Sequence, residues 1–272
     1  MRSKRTRVLE HIRVRQSDVD RRVCRYCIDE RTNRMPATSN ALRDRALRVA
    51  LHEFGHYVAA RTLGFRTGEV TIQLHFELGG IAHRGGAKIE LAHQLDTTTD
   101  VIDYLKKRVV ILYAGAVAET LNQHGVVDQR YAVQILHTAG QGAEQDHAKA
   151  RELLHILRSI CHPTTDVVDN VTIQSELDAL NGDLWLRAVG LVEVNAGTIS
   201  SLARNLAGRT NRPGVLVRFD ALELEGHPSV QRLPRWTIVE TPRGTAVSQR
   251  DGKDEPPAAG SDRKGTPPAR ED

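Results

Sequence analysis

Two histidines and a glutamate stand close together in the stretch Leu51–His56. Their order is His52, Glu53, two other residues and His56, the H-E-x-x-H pattern. On a helix, residues four apart lie one turn above the other on the same face, so both imidazoles can bind one metal ion. Glu53, beside the first histidine, can take a proton from a water molecule at that metal. The spacing therefore predicts one Zn²⁺ ion bound by His52 and His56, with Glu53 as general base.

Two other interpretations of the motif stay open. The three side chains could form a hydrogen-bonded cluster without a metal, or they could bind a metal that takes no part in catalysis. Burying three such groups without a cation is costly, because each loses its hydration. The sequence therefore favours the metal site.

A catalytic zinc site of this type needs a third protein ligand. The extended pattern H-E-x-x-H-x-x-G-x-x-H fails, because Ala59 and Thr62 stand at its glycine and second histidine positions. The third ligand must therefore come from farther along the chain. Composition does not choose between Glu119 and Asp146. Asp146 lies at the start of an amphipathic helical stretch. The full set of candidates is Glu119, His124, His137, Glu144, Asp146 and His147.

Hydrophobic periodicity predicts the elements that position these residues. Apolar residues from Ala41 to Leu63 predict a largely buried helix that is closed by Gly64. Alternation over residues 69–76 predicts a strand, and a turn at Gly79–Gly80 predicts a second strand after it. The expected fold is mainly helical (α+β), with a small sheet beside the H-E-x-x-H helix. Further helices are predicted over 98–122, 144–160 and about 175–207, the last with a break expected near Asn181–Gly182 or Asn195–Gly197.

The distribution of charge divides the chain into three parts. Residues 1–48 contain 14 Lys and Arg against 6 Asp and Glu, a net charge of +8, although the whole chain carries only +4. We therefore predict a basic, partly disordered arm over 1–40, a folded domain over 41–240 and a disordered tail over 241–272, which is rich in proline and charged residues. The arm is a candidate for contact with nucleic acid, although a solvated arm is the simpler interpretation.

Cysteine content and hydropathy bear on the compartment. Three cysteines are too few to stabilise a secreted scaffold. Cys24 and Cys27 form a C-x-x-C half-site for a structural metal, but nothing nearby supplies a second pair, so two ordinary thiols are favoured. The longest apolar run, Val109–Ala118, is about half the length of a membrane helix. We therefore expect a cytoplasmic protein without a membrane span.

Several stretches together resemble the peptidase domain of the FtsH-type zinc metalloproteases. Val49–His56 is similar to the family's H-E-A-G-H helix, and Glu69–Ile72 is similar to the strand after it. Leu78–Gly80 is similar to the edge segment of the family's sheet, and Arg108–Glu119 to a helix that ends in G-R-A-A-E-E. Gly142–Asp146 is similar to the family's G-A-x-x-D.

The resemblance covers about residues 45–225 and implies a helical, zincin-like peptidase domain. It implies that Asp146 is the third zinc ligand and that a polypeptide substrate adds as an extended strand beside Leu78, Gly79 and Gly80. No P-loop motif of an ATPase occurs in the sequence. We therefore expect substrates that are already flexible, or a separate ATPase that unfolds them.

Two departures from the family's pattern bear on the site. Phe54 stands where the family has a small residue, so the space beside the zinc should be narrower. About a dozen extra residues lie around Gln123–His137. They could form a lid or a partner contact, but a plain surface loop is the more common outcome. The alternatives to a general peptidase are a catalytically silent zinc-binding regulatory or scaffold protein and a zinc peptidase that cleaves a repressor.

Overall fold

The H-E-x-x-H motif lies on a long helix, α1 (Pro36–Thr62), in the computed structural model. The structure describes residues 36–78, 80–91, 94–138 and 142–234. Every residue from 49 to 60 in this helix is buried, because other elements pack around it on several sides. The helix predicted over 41–63 is thus present and begins five residues earlier. The basic arm, the C-x-x-C pair and the tail lie outside the described residues and stay predictions.

Helix α2 (Thr98–Glu119) packs along α1. It begins with a capping box, in which the side chains of Thr97 and Asp100 each accept a hydrogen bond from the other's backbone N–H group. The two helices approach closely at Gly55, where an added Cβ would collide with the carbonyl oxygen of Ala114. This contact brings the backbone of α2 beside the motif.

A three-stranded antiparallel sheet packs against α1. Strand β1 (Arg66–Glu77) lies between β2 (Gly80–Glu90) and β3 (Leu216–Phe219). Alternate residues of β1 between Val70 and Leu74 are fully buried, as expected for a strand with one face on the core. Strand β2 pairs only with β1 among the described residues, so its outer edge can accept another strand. The two-stranded part of the sheet was predicted and is present, whereas β3 was not predicted.

Three further helices complete the core. Helices α4 (Glu144–Cys161) and α5 (Asn170–Val194) pack against α2, and α6 (Ala196–Gly208) packs against α1. Helices α5 and α6 separate at Asn195, the second of the two predicted break positions, where the side-chain amide donates to the carbonyl oxygen of Leu191. Two short helices follow β3: α7 (Ala221–Gly226) and α8 (Pro228–Gln231).

The extra segment around Gln123–His137 contains a helix, α3 (Gln129–His137), where a surface loop was expected. The side chain of Asp128 caps it by accepting a hydrogen bond from the backbone N–H of Tyr131. Three of its residues are buried: Ala132, Ile135 and Leu136. The segment is therefore part of the packed structure.

The described part of the chain is mainly helical with a small antiparallel sheet, so the predicted α+β class is confirmed. Phe54 lies in the core between α1 and the sheet, with its ring 6.0 Å from those of Tyr57 and Phe219. Phe54 does not line the cavity that contains the motif's histidines, so the expected narrowing beside the candidate metal site is not seen. No helix in the described ranges combines the length and hydropathy that a bilayer crossing requires.

Candidate metal centre

Helix α1 presents His52 and His56 one turn apart toward helix α2. Their Nε2 atoms are 3.1 Å from each other. Gly115 of α2 lies against both rings, and a Cβ at this position would collide with Nε2 of His56 and lie 2.9 Å from Nε2 of His52. A larger residue would therefore displace the imidazoles. The glycine provides the space in which the two rings converge.

Asp146, in the first turn of α4, completes a triangle of ligand atoms. Its Oδ2 atom lies 3.1 Å from Nε2 of His52 and 3.1 Å from Nε2 of His56. Both histidines are buried, and Asp146 is half-buried. Among the described residues, these three form the one group of histidine, cysteine or acidic side chains that could hold a metal ion.

Each imidazole contacts an acceptor on the side away from this triangle. Nδ1 of His56 donates to the carbonyl oxygen of Ile111 at 2.7 Å. Nδ1 of His52 lies 3.4 Å from a carboxylate oxygen of Glu119, and this carboxylate accepts a hydrogen bond of 2.7 Å from Arg48. A proton on each Nδ1 leaves a lone pair on each Nε2, directed into the triangle.

The chemistry of these three atoms fits a metal ion. With a proton on each Nδ1, the two Nε2 atoms and the carboxylate oxygen are all acceptors, and at 3.1 Å from one another they repel unless a proton or a metal ion lies between them. Tetrahedral zinc, with bonds of about 2.0–2.1 Å, separates its ligand atoms by about 3.3–3.4 Å. The observed spacing is close to that value, so the group could hold a metal ion with little movement.

The pKa values of the ligands show how strongly the triangle favours positive charge. Burial lowers the pKa of His52, but contacts with Asp146 and Glu119 outweigh burial and raise it to about 10. Burial raises the pKa of Asp146, but the two imidazoles outweigh it and hold this pKa far below its usual value. Asp146 is therefore a carboxylate, the form in which it binds metals.

Glu53 lies beside the triangle on the inner face of strand β2. It is buried, and its carboxylate packs so closely on Gly85 that an added Cβ there would collide with Oε1. Burial raises the pKa of Glu53, and the charges of Asp146 and Glu119 add to this effect, although both imidazoles of the motif oppose it. Its carboxyl group therefore holds a proton more readily than that of an exposed glutamate.

His83 of β2 lies at the opposite side of the same cavity. A guanidinium nitrogen of Arg45 donates to its Nδ1 at 2.9 Å, so the ring proton is on Nε2. Burial lowers the pKa of His83 to about 4, with the charges of Arg45 and His52 adding to the effect. Gly142 makes room for the ring: its φ is 100°, and an added Cβ would lie 2.6 Å from Nε2 of His83.

The ligands open into a cavity of about 570 Å³ between α1, α2, the start of α4 and strand β2. Its strand wall extends from His83 to Ile89. The arrangement therefore places a candidate metal and a buried carboxylate in contact with a space that could admit a polypeptide. Its lining includes Val49, Glu53, His83, Arg84, Gly85, Ala87, Ile89, Arg108, Leu112, Glu144, Asp146 and Lys149.

The structure separates Asp146 from the other candidates for the third ligand. Glu119 lies behind His52, outside the triangle. Glu144 accepts a hydrogen bond of 3.0 Å from the backbone N–H of Gly142. The remaining candidates lie elsewhere: His124 is exposed in a loop, and His137 and His147 contact each other at a different cavity.

The residues expected to bind substrate lie at the tip of the β1–β2 hairpin. Leu78 is fully exposed, and Gly80 begins β2 opposite Glu77. Neither lines the cavity, and Gly79 lies outside the described residues. The part of the edge strand that faces the candidate metal begins at His83 instead. The role proposed for the hairpin tip therefore stays a prediction.

Sequence reasoning missed several residues that shape the centre. Gly85 leaves room for the Glu53 carboxylate, and Gly115 leaves room for the two imidazoles. Arg45 forms a hydrogen bond with His83. A glycine pair, Gly85–Gly86, within a segment that continues as a strand was the available signal, because glycine inside a strand often marks a close approach. The Arg48–Glu119 ion pair behind His52 has no local signal, because its partners are far apart in the chain.

No protein-family model matches this chain, and no curated protein shows significant sequence similarity to it.

Proposed function

We propose that the protein is a zinc-dependent metalloendopeptidase, related to the FtsH-type peptidase domain, that hydrolyses peptide bonds in flexible polypeptides. The observation that carries this proposal is the convergence of His52, His56 and Asp146 beside the buried carboxylate of Glu53, in a cavity open to solvent. The order of the motifs supports it, because the H-E-x-x-H pattern and the G-A-x-x-D pattern supply all three ligands and the base.

His52, His56 and Asp146 would hold the zinc ion, with the imidazoles oriented by Ile111 and Glu119. When bound, zinc supplies a Lewis acid that polarises a carbonyl group and lowers the pKa of water to about 7. Glu53 takes a proton from the attacking water as its oxygen bonds to the peptide carbon. It then gives that proton to the amide nitrogen as the C–N bond breaks.

Strand β2 would bind the substrate through its unpaired edge. An extended polypeptide can hydrogen-bond with backbone groups of such an edge, which holds the chain straight across the site. The edge passes the candidate metal near Gly85, where Glu53 packs against the strand. A peptide bond placed there lies next to both the base and the metal ligands. Folded substrates would need a separate ATPase that unfolds them, because only an extended chain fits an edge strand.

The test measures metal content and proteolysis with three forms of the protein. Wild type, Glu53→Gln and the control Glu152→Gln, an exposed residue of α4, are loaded with zinc and incubated with casein. We expect one bound zinc in each form. Cleavage by Glu53→Gln should fall about 10²–10⁴-fold, the usual contribution of a general base, while Glu152→Gln should match wild type.

Two results would reject the proposal. If wild type binds zinc stoichiometrically but cuts neither casein nor a pool of flexible peptides, the centre is regulatory or structural. If Glu53→Gln cleaves as fast as wild type, the observed proteolysis comes from another group or a contaminant.

A further inference from the structure

Arg108, on helix α2, forms no ion pair with a carboxylate among the described residues. Arg48, Arg61 and Arg158 each form an ion pair with a glutamate. Arg108, on α2, is half-buried and lies over the ring of Phe65, with its guanidinium carbon 6.0 Å from the ring centroid. It lines the same cavity as the metal ligands. The cavity therefore contains a fixed cation that can bind an anionic group.

The position of Arg108 along the cleft follows from its neighbours. It lies one helical turn before Ile111, whose carbonyl oxygen orients His56, so it is about 4.5 Å from that residue along the helix axis. Phe65, under its guanidinium, directly precedes β1, whose first residue pairs with Glu90. Arg108 therefore lies on the side of the cleft where β2 ends, away from His83.

A second unpaired cation lines this cavity. Lys149 lies one turn after Asp146 on α4, so the two share a face of the helix. It is exposed and forms no ion pair among the described residues. Four acidic residues also line the cavity. Glu119 pairs with Arg48, and Asp146 contacts the two imidazoles. Glu144 accepts a hydrogen bond from the backbone N–H of Gly142, and Glu53 packs on Gly85.

Arg84 also lines the cavity, but it is less suited to this role. It pairs with Gln73 in the sheet, whereas its neighbours His83 and Gly85 pair with the buried residues Leu74 and Ile72. Since side chains alternate between the faces of a strand, Arg84 belongs to the face away from α1. Arg108 and Lys149 are thus the two other arginine and lysine side chains that line the cavity.

We propose that Arg108 and Lys149 form a carboxylate-binding subsite, so that the cleft selects polypeptides with a carboxylate a few residues from the bond at the metal. This inference rests on the proposed peptidase function. A guanidinium group binds a carboxylate through two parallel hydrogen bonds, and the ammonium group of Lys149 in the same cavity lining adds positive charge. The carboxylate comes either from an acidic side chain or from the carboxyl terminus of the substrate.

The test separates recognition from cleavage by measuring peptide binding. Zinc-loaded Glu53→Gln protein is titrated into fluorescein-labelled casein peptides, made as Glu and Gln pairs and each with a free or an amidated carboxyl terminus. We expect about tenfold tighter binding of peptides that keep the recognised carboxylate, measured by fluorescence anisotropy. A preference for Glu over Gln identifies a side-chain carboxylate, and a preference for the free terminus identifies the chain end.

The same titration with cation variants localises the subsite. Adding Arg108→Gln to the Glu53→Gln protein should reduce the preference for the carboxylate-bearing peptide to less than twofold. Adding Lys149→Gln instead should reduce that preference in part. Lys106→Gln is the matched control, since it removes one charge from the same helix but lines a different cavity. Unchanged zinc content and Tm show that each variant is folded.

The outcomes distinguish this inference from the proposed function. Equal binding of all four peptide forms rejects the subsite, and so does an equal loss of preference in Lys106→Gln, which would indicate the overall charge of the protein. If wild type cleaves peptides without any preference for the carboxylate, the peptidase proposal stands and the subsite is rejected. If the preference is present but wild type cleaves nothing, the subsite stands as a peptide-binding site and the peptidase proposal fails.

Discussion

Helix α4 contributes to a buried polar cluster at each of its ends, and the two clusters balance charge differently. At its start, Asp146 meets two imidazole nitrogens, so that three acceptors face one another at 3.1 Å. At its end, Arg158 donates to Glu176 at 2.7 Å, so that a cation meets an anion. The second cluster pairs opposite charges within the chain, although one buried guanidinium nitrogen of Arg158 has no hydrogen-bond partner. The first brings three potential metal-ligand atoms together at one point.

Burial alone does not distinguish the clusters. His52 and Arg158 are equally buried, each with 7% of its surface exposed. Buried polar groups persist in proteins when they are paired or when they coordinate a metal. Glu176 accepts from Arg158 and from the hydroxyl of Thr165, as expected for a structural ion pair. The convergence of ligand atoms from His52, His56 and Asp146 is thus the feature that indicates a metal.

Removing one carboxylate from each cluster should affect different properties: zinc affinity at the start of α4 and thermal stability at its end. In Asp146→Asn the anionic ligand becomes a neutral amide, so we expect zinc affinity to fall by more than about 100-fold. Glu176→Gln should keep one zinc per chain but lower the Tm, because Arg158 loses its anionic partner. Zinc affinity is measured by competition with a chromophoric chelator, and Tm by circular dichroism.

A chelator provides the control for this pair. Zinc at 100 times its Kd stabilises a folded protein by about 2.7 kcal/mol, so removing it should lower the Tm of wild type and of Glu176→Gln. The Tm of Asp146→Asn should not respond. If Asp146→Asn retains wild-type zinc affinity, Asp146 is not a ligand and the contrast between the clusters is wrong.

Two glycines inside helices allow a smaller test of the same contrast. Gly115→Ala places a methyl group against both imidazoles, so we expect zinc affinity to fall by about 100-fold at most, the upper end of effects on ligand orientation. Gly190→Ala, in α5, meets nothing within 4 Å and should stabilise the helix by about 0.5–1 kcal/mol without affecting zinc. Zinc competition and urea unfolding provide both values. Wild-type zinc affinity in Gly115→Ala would show that the rings have room to move.

The sequence was sufficient to predict features whose residues all lie within one secondary-structure element. The spacing of His52 and His56 lies on a single helix, and its prediction needed no other part of the fold. The helix α3 also had a local signal, an aspartate cap followed by buried residues three and four apart, but it was missed because the segment was interpreted as an insertion. Strand β3 has four residues, too few for alternation to identify it.

The choice between Glu119 and Asp146 depended on tertiary structure. Both acidic side chains contact His52, one at Nδ1 and the other at Nε2. Which of them faces the second histidine is set by the crossing of α1 and α2 and by the start of α4. No pattern within either segment encodes that geometry. The resemblance to a known family named Asp146, and the structure places it in the triangle.

Replacing Glu119 provides the finest distinction, because it contacts a ligand without facing the metal. Glu119→Gln keeps the size of the side chain but weakens the acceptor behind His52, so we expect zinc affinity to fall by about tenfold, the lower end for residues that orient metal ligands. Zinc competition measures this change, and Glu152→Gln serves as the control with an exposed glutamate. A loss as large as that of Asp146→Asn would make Glu119 a ligand itself.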